Sequence, residues 1–251
     1  MSELSCTGLR KAFGGLVVTN DLALGVSSGE VHALIGPNGA GKTTALAQLS
    51  GELRPDGGTV WLDGADITHL SLPLRVRAGV ARSYQISSIF QGFTVAENVE
   101  LALQATDRHS FRFFRPAASN TARVARASEL LDRVGLTAAA GISARRLAHG
   151  QTRQLEIAMA MASRPKVLLL DEPMAGMAPD EARRLADLVR SLASDTAVLL
   201  VEHDMDIVFS AADRVSVLCE GALIASGDPD KIRADPEVRR LYLRDDSEAE
   251  D

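Results

Sequence analysis

The sequence predicts an α/β fold, with a mixed, largely parallel core sheet, an antiparallel β layer beside it and an inserted α-helical subdomain. Three observations lead there. An apolar strand pattern at residues 31–35 runs straight into Gly36-Pro37-Asn38-Gly39-Ala40-Gly41-Lys42-Thr43, and a helix pattern follows. Beyond residue 166 the chain alternates strand, helix and strand, an order that places parallel strands between helices. From residue 94 to about 163 the apolar spacing is that of helices instead.

In chain order, residues 4–9 and 16–26 alternate or run apolar around the turn Lys11-Ala12-Phe13-Gly14-Gly15, which reads as a hairpin. The strand at 31–35 feeds the glycine loop, and a helix begins at Lys42. Residues 51–58 are a dense turn cluster, and 59–64 form a short strand closed by Gly64. The antiparallel layer therefore draws on both sides of the loop. Residues 73–78 read as helix and 79–85 as a strand ending at Gln85. The inserted region holds three helices, marked by Val95, Val99, Leu101 and Leu103, by Val124, Leu130, Leu131 and Val134, and by Leu155, Ala158, Met159 and Ala162. A strand at 166–170, a helix at 180–192 with the stripe Leu185, Leu188, Val189 and Leu192, and a strand at 198–201 resume the core. Two strands near 215–218 and 222–225 and a short helix around Lys231 follow. The expected organisation is one domain over 1–244, with its helical subdomain at about 94–163 and an acidic, disordered tail at 245–251.

Composition narrows the function. At 251 residues, 46 % hydrophobic and 24 % charged, the chain can bury a proper core. No apolar run approaches the ~20 residues of a membrane span, and the start lacks the basic and then apolar stretch of a secretory signal. A cytoplasmic protein is expected. Cys6 and Cys219 have no metal-type spacing and are expected to be reduced and buried. A net charge of −6 argues against a nucleic-acid surface and against electrostatic attachment to anionic lipid, so membrane association requires a protein partner. The basic, aromatic stretch from Arg108 to Arg115 reads as a connecting loop or partner contact.

Residues 36–43 fit G-x-x-x-x-G-K-[ST] at every fixed position, a phosphate-binding loop (P-loop). Its glycines let successive N–H groups converge on a phosphate chain, and the following helix adds its positive end. Gly36 to Gly41 would form the cradle, Lys42 would reach the β and γ phosphates, Thr43 would ligate Mg²⁺, and Thr44 follows. Val167-Leu168-Leu169-Leu170 ends in Asp171-Glu172 at a strand's C-terminal edge, where open α/β sheets place ligands. Asp171 is placed to hold Mg²⁺ and Glu172 to polarise the water that attacks the γ phosphate.

Leu147-Ala148-His149-Gly150-Gln151 stands just before the helix expected at 152–161 and ahead of the Asp171-Glu172 strand. In this position it resembles the signature stretch of the ATP-binding-cassette family, usually Leu-Ser-Gly-Gly-Gln. The resemblance implies two ATPase subunits facing head to tail, each signature helix closing over the nucleotide held by the other's phosphate loop. It also implies that Gln85 is the switch glutamine near Mg²⁺ and the attacking water, that His203 contacts the γ phosphate, and that Phe13 stacks on adenine. The finer pattern, including Phe13-Gly14-Gly15-Leu16, Arg153-Gln154-Leu155-Glu156 and Glu202-His203-Asp204-Met205, resembles the ATPases of branched-chain amino-acid importers and their urea or amide relatives. Membrane permeases, a second and usually different ATPase and an extracytoplasmic binding protein are the partners this implies, with residues 86–93 as the permease contact. ATP and Mg²⁺ are the implied ligands. Exporter ATPases for lipid or polysaccharide share every catalytic motif and are opposed only by the fine pattern; a soluble regulatory ATPase is opposed by the single cassette and the acidic tail.

Two departures from the family pattern fall on the surface that would serve a partner's nucleotide. Ala148 replaces the usual signature serine, whose charge-assisted hydrogen bond is worth about 1.5–3 kcal/mol. Ala178 stands where the family often has Asp.

Overall fold

Two sheets organise the chain. The computed structural model describes residues 3–83, 89–106 and 121–241. Glu3–Phe13 (β1) and Leu16–Ser27 (β2) form the expected hairpin; β1 also pairs with Gly57–Leu62 (β4), and β4 with Ala65–Asp66 (β5), all antiparallel. The second sheet runs in the order Ala222–Gly227 (β10), Arg214–Cys219 (β9), Val31–Ile35 (β3), Ala197–Val201 (β8), Val167–Asp171 (β7), Val80–Arg82 (β6). Every pairing in it is parallel except β9 with β10.

The strand period of two divides the apolar residues of β7 and β8 between two cores. On β7 and β8, Leu168, Leu170, Val198 and Leu200 face the helices Val95–Thr106 (α3), Thr121–Arg133 (α4), His149–Met161 (α5) and Pro179–Leu192 (α6). Val167, Leu169, Leu199 and Val201 face the other way, packing with Leu46 and Leu49 of Lys42–Ser50 (α1) and with Leu4, Leu22 and Val60 of the antiparallel layer. A sheet covered on both faces explains why these strands read as unbroken apolar runs. Leu72–Ala78 (α2), Met205–Ala211 (α7) and Pro229–Ala234 (α8) complete the frame, with a further helical stretch at 236–241.

Several expectations are corrected. The strand expected at 79–85 is assigned only over Val80–Arg82, and Gln85 lies outside the described residues, as do Arg108 to Arg115 and the tail at 245–251. α5 starts at His149, three residues before the expected 152, so the signature stretch forms its first turn. Val124, expected in the apolar stripe of α4, is 43 % exposed, while Leu130 and Leu131 on the inner face carry the packing. Cys219 is only partly buried. α7 was not anticipated: its short apolar run follows Asp204, whose carboxylate caps the helix by accepting from the N–H groups of Asp206 and Ile207.

His32 ties the layers together. It is buried on β3, with its Nδ1–H donating to Gly25 O of β2 at 2.9 Å and Nε2 accepting from Ser216 Oγ of β9 at 2.7 Å. Burial, helped by the charge of Arg214, pushes its pKa from the ordinary 6.5 down to about 4. The unfolded chain therefore binds a proton near pH 6.5 that the folded chain refuses until about pH 4, so stability is lost as pH falls through that window. The loss attributable to this residue is about 3 kcal/mol. In urea unfolding followed across the window, His32→Gln is expected to flatten the acid slope; a slope equal to that of the parent chain would place the effect in other groups.

Candidate functional site

Four neighbouring parallel strands, β3, β8, β7 and β6, end at the same edge of the sheet. β3 opens into the phosphate loop, β8 leads into Glu202 and His203, β7 ends at Asp171 with Glu172 next, and β6 ends at Arg82; Gln85 lies outside the described residues. Neighbouring strands lie about 4.8 Å apart, so motifs far apart in sequence converge across a narrow span.

The loop curls on itself, with Ala40 N–H donating to Pro37 O at 3.2 Å. Gly41 caps α1 in the left-handed region with φ 103°, and a Cβ there would lie 2.4 Å from Val18 O. The Lys42 ammonium is buried and donates to the carbonyls of Gly36 at 2.7 Å and Pro37 at 3.0 Å, which holds its charge against the loop. Thr43 is exposed in the first turn of α1 and Thr44 half-buried. At the hairpin tip the Phe13 ring is exposed, with the Lys11 ammonium 5.6 Å from its centroid. Asp56 accepts from both Lys11 Nζ and Ala12 N–H, fixing the backbone that leads into Phe13.

The adjacent carboxylates occupy different surroundings. Asp171 is 1 % exposed in its side chain; its Oδ2 accepts from Arg82 Nη2 at 2.7 Å, while Oδ1 is buried without a hydrogen-bond partner. Glu172 takes φ 46°, a conformation that costs a non-glycine residue about 1–3 kcal/mol, and its N–H donates to Val201 O at 2.9 Å. Its side chain is 30 % exposed, with Oε1 4.0 Å from Nδ1 of the exposed His203. Glu202, beside it, is buried and accepts from Met174 N–H at 2.8 Å; burial holds its carboxyl above the usual range despite that bond.

The signature stretch is held by a different part of the chain. His149 Nε2 bonds Ala175 O at 3.1 Å, and Gly150 N–H donates to Glu181 Oε1 of α6 at 3.1 Å. Only glycine allows this approach, since a Cβ at 150 would lie 2.0 Å from that oxygen. Gln151 Oε1 accepts from Ala148 N–H at 3.1 Å, which is half of a capping box; Ala148 has no hydroxyl to complete it. Leu147 is half-buried at the edge of the helical core. Of residues 86–93, the described Phe90 and Phe93 are exposed, with ring centroids 5.7 Å apart.

A family model described as ABC transporter matches residues 19–175. The chain belongs to the ABC transporter family. A second model, described as branched-chain amino acid ATP-binding cassette transporter, matches residues 222–243. The chain is 41 % identical to the high-affinity branched-chain amino acid transport ATP-binding protein BraF of Pseudomonas aeruginosa, over 96 % of this chain and 97 % of the relative. It is also 35 % identical to the lipopolysaccharide export system ATP-binding protein LptB of Escherichia coli, over 98 % and 99 %. Its fold matches the crystal structure of an ABC transporter cassette in its ADP conformation with a TM-score of 0.86, at 28 % identity over 97 % of this chain and 99 % of that one.

Arg82, Glu181 and Glu202 of this ABC cassette belong to no motif of the sequence analysis that assigns them a site role. Glu202 sat beside His203 in the quoted stretch; Arg82 and Glu181 stand in ordinary helix and strand patterns and gave no local signal.

Two loop glycines separate backbone strain from close packing. Gly39 has φ 77° in open space, whereas Gly41 combines φ 103° with the contact to Val18 O. Gly39→Ala is expected to lower the unfolding free energy by about 1 kcal/mol, and Gly41→Ala by about 2–4 kcal/mol with loss of nucleotide binding. Denaturant unfolding and titration with a fluorescent ATP analogue check both; equal effects would mean that the close approach at Gly41 is unimportant.

Proposed function

We propose that this chain is the ATP-hydrolysing subunit of an ABC importer for branched-chain or other hydrophobic amino acids. The observation that carries the reading is the delivery of the phosphate loop, Asp171, Glu172 and His203 by adjacent parallel strands to one edge. Gly36 to Gly41 cradle the phosphates with backbone N–H groups, Lys42 pairs with the β and γ phosphates, and Phe13 stacks on the adenine. Glu172 accepts the proton of the attacking water, and His203, 4.0 Å from it, contacts the γ phosphate. The strain at Glu172 supports a functional rather than a packing role.

Mg²⁺ fits the residues present. Among the described residues no cluster of three or more His, Cys, Asp or Glu could cage a metal ion, and Mg²⁺ needs none because it keeps several waters. The buried, unpartnered Oδ1 of Asp171 and the exposed hydroxyl of Thr43 are hard oxygen donors suited to it, with Gln85 as the further ligand. When bound it would neutralise charge on the β and γ phosphates.

Leu147 to Gln151 serve the nucleotide of a second ATPase subunit. The Gly150 N–H already donates to a carboxylate oxygen at 3.1 Å, which supports its fitness as an anion donor. Because Ala148 and Ala178 weaken only that surface, the chain works best in a heterodimer, hydrolysing its own ATP against a better signature. Purified alone, it is expected to turn over ATP at least tenfold more slowly than the assembled transporter; equal rates would remove the asymmetry.

Residues 1–244 form one nucleotide-binding domain, with the exposed Phe90 and Phe93 receiving a permease loop. The subunit is bound to the inner face through its permease; no helix among the described residues is long and apolar enough to cross a membrane. Whole-chain similarity extends to an exporter ATPase, and the match at residues 222–243 favours import. Uptake of labelled leucine, urea and short amides in cells carrying Glu172→Gln tests the reading. Leucine uptake is expected to fall to background at unchanged protein level; loss confined to urea or amides, or no loss, would overturn the cargo assignment.

A further inference from the structure

Arg82 is a buried cation between two carboxylates. It lies opposite Leu169 in the β6–β7 register, so its side chain shares a face with Asp171, two residues further along β7. Its Nη2 donates to Asp171 Oδ2 at 2.7 Å and its Nη1 to Glu52 Oε2 at 2.6 Å, with the Arg82 side chain 7 % exposed and that of Asp171 1 % exposed. Glu52 stands just beyond Gly51, the C-cap of α1, the helix whose first turn carries Lys42 and Thr43. One guanidinium thus ties the end of the phosphate-loop helix to the carboxylate at the end of β7.

We infer that Arg82 is a positioning residue for Asp171 as a Mg²⁺ ligand, which rests on the reading of Asp171 given above. By occupying Oδ2 it fixes the carboxylate's rotation and leaves Oδ1, buried and without a hydrogen-bond partner, as the oxygen offered to the metal's shell. Its charge also keeps the buried carboxylate compensated. Glu52 anchors the guanidinium from the opposite side, and its own side chain is half exposed. Partners of metal-binding carboxylates act in this way, and losing one weakens metal affinity by roughly 10–100-fold. A lysine cannot replace the planar fork that reaches both carboxylates at once.

The test is the affinity of the purified full chain for a fluorescent ATP analogue as Mg²⁺ is titrated, with a parallel measurement in EDTA and a thermal melt of each variant. Arg82→Lys is expected to raise the Mg²⁺ concentration at half effect roughly tenfold. Glu52→Gln, which leaves the buried Arg82–Asp171 pair in place and so keeps the test open if Arg82→Lys fails to fold, is expected to raise it roughly threefold. Both should bind the analogue in EDTA within about twofold of the parent chain. Variants that titrate like the parent, or that lose affinity equally with and without Mg²⁺, would overturn the inference. Asp171→Asn separates the two levels: if it titrates normally, Asp171 is not a Mg²⁺ ligand and the inference falls with that reading. Should it lose the Mg²⁺ effect while Arg82→Lys and Glu52→Gln keep it, only the role of Arg82 is wrong.

Discussion

The site depends on the close approach of main chain to main chain around the phosphate loop. A Cβ at Gly36 would lie 2.1 Å from Leu218 O on β9, and one at Gly41 2.4 Å from Val18 O on β2. The loop is therefore wedged between the two sheets with no side chain to spare. Ala40 O accepts from Gly221 N–H at 3.0 Å, and Gly221 O accepts from Asn20 N–H at 2.9 Å, so the turn between β9 and β10 closes the wedge. Residues near positions 20, 40 and 220 must all be in place before the loop has its shape. The same β1–β2 hairpin carries Phe13, so that exposed ring and the loop backbone are fixed relative to each other by one set of contacts.

Two adjacent carboxylates acquire different chemistry because the chain turns between them. Asp171 is the last residue of β7, buried and charge-compensated by Arg82. At Glu172 the backbone enters the left-handed region, which ends the strand and leaves a carboxylate partly open to solvent and 4.0 Å from His203. Glu202 then holds the returning chain through Met174 N–H. That bond matters because a buried carboxylate with no donor would be costly; here the loop that follows Glu172 supplies one.

What could be read from the sequence was what depends on local pattern. The glycine loop and the Asp171-Glu172 strand end are short runs whose chemistry is written in neighbouring residues, His203 was marked only by the resemblance to a family, and the strand, helix and strand order beyond residue 166 announced parallel strands between helices. Arg82 and Glu181 depend on partners 89 and 31 positions away, so nothing near them in the chain marked them. Arg75 is the same case in the frame: fully buried, it donates to the carbonyls of Gln48 and Leu49 at the end of α1 and to that of Thr68, supplying a helix cap from another helix. The early start of α5 was missed because Gly150 lowers helix propensity; Glu181 compensates by accepting its N–H, a tertiary effect. Val124 fitted the apolar period of α4 but fell outside the face that α3 and α5 cover.

The helical region connects the two surfaces that would meet other subunits. Phe90 and Phe93 stand exposed just ahead of α3, and backbone hydrogen bonds from Val95 to Ile142 and from Ala144 to Phe93 bind this segment to the chain that leads into α5. Val95, Val99, Leu130, Leu155 and Ala158 share one close-packed core, so a displacement imposed at the aromatic pair cannot be absorbed by local compression. Such a displacement would be passed on to α5 through that core. At its N-terminus α5 is held by polar contacts, His149 to Ala175 O and Gly150 to Glu181, which can be exchanged for others at small net change in free energy, unlike the apolar packing along its length. Rigidity along the helix and exchangeable contacts at its tip are the physical conditions under which a push at one surface changes what the signature glycine can bind at the other.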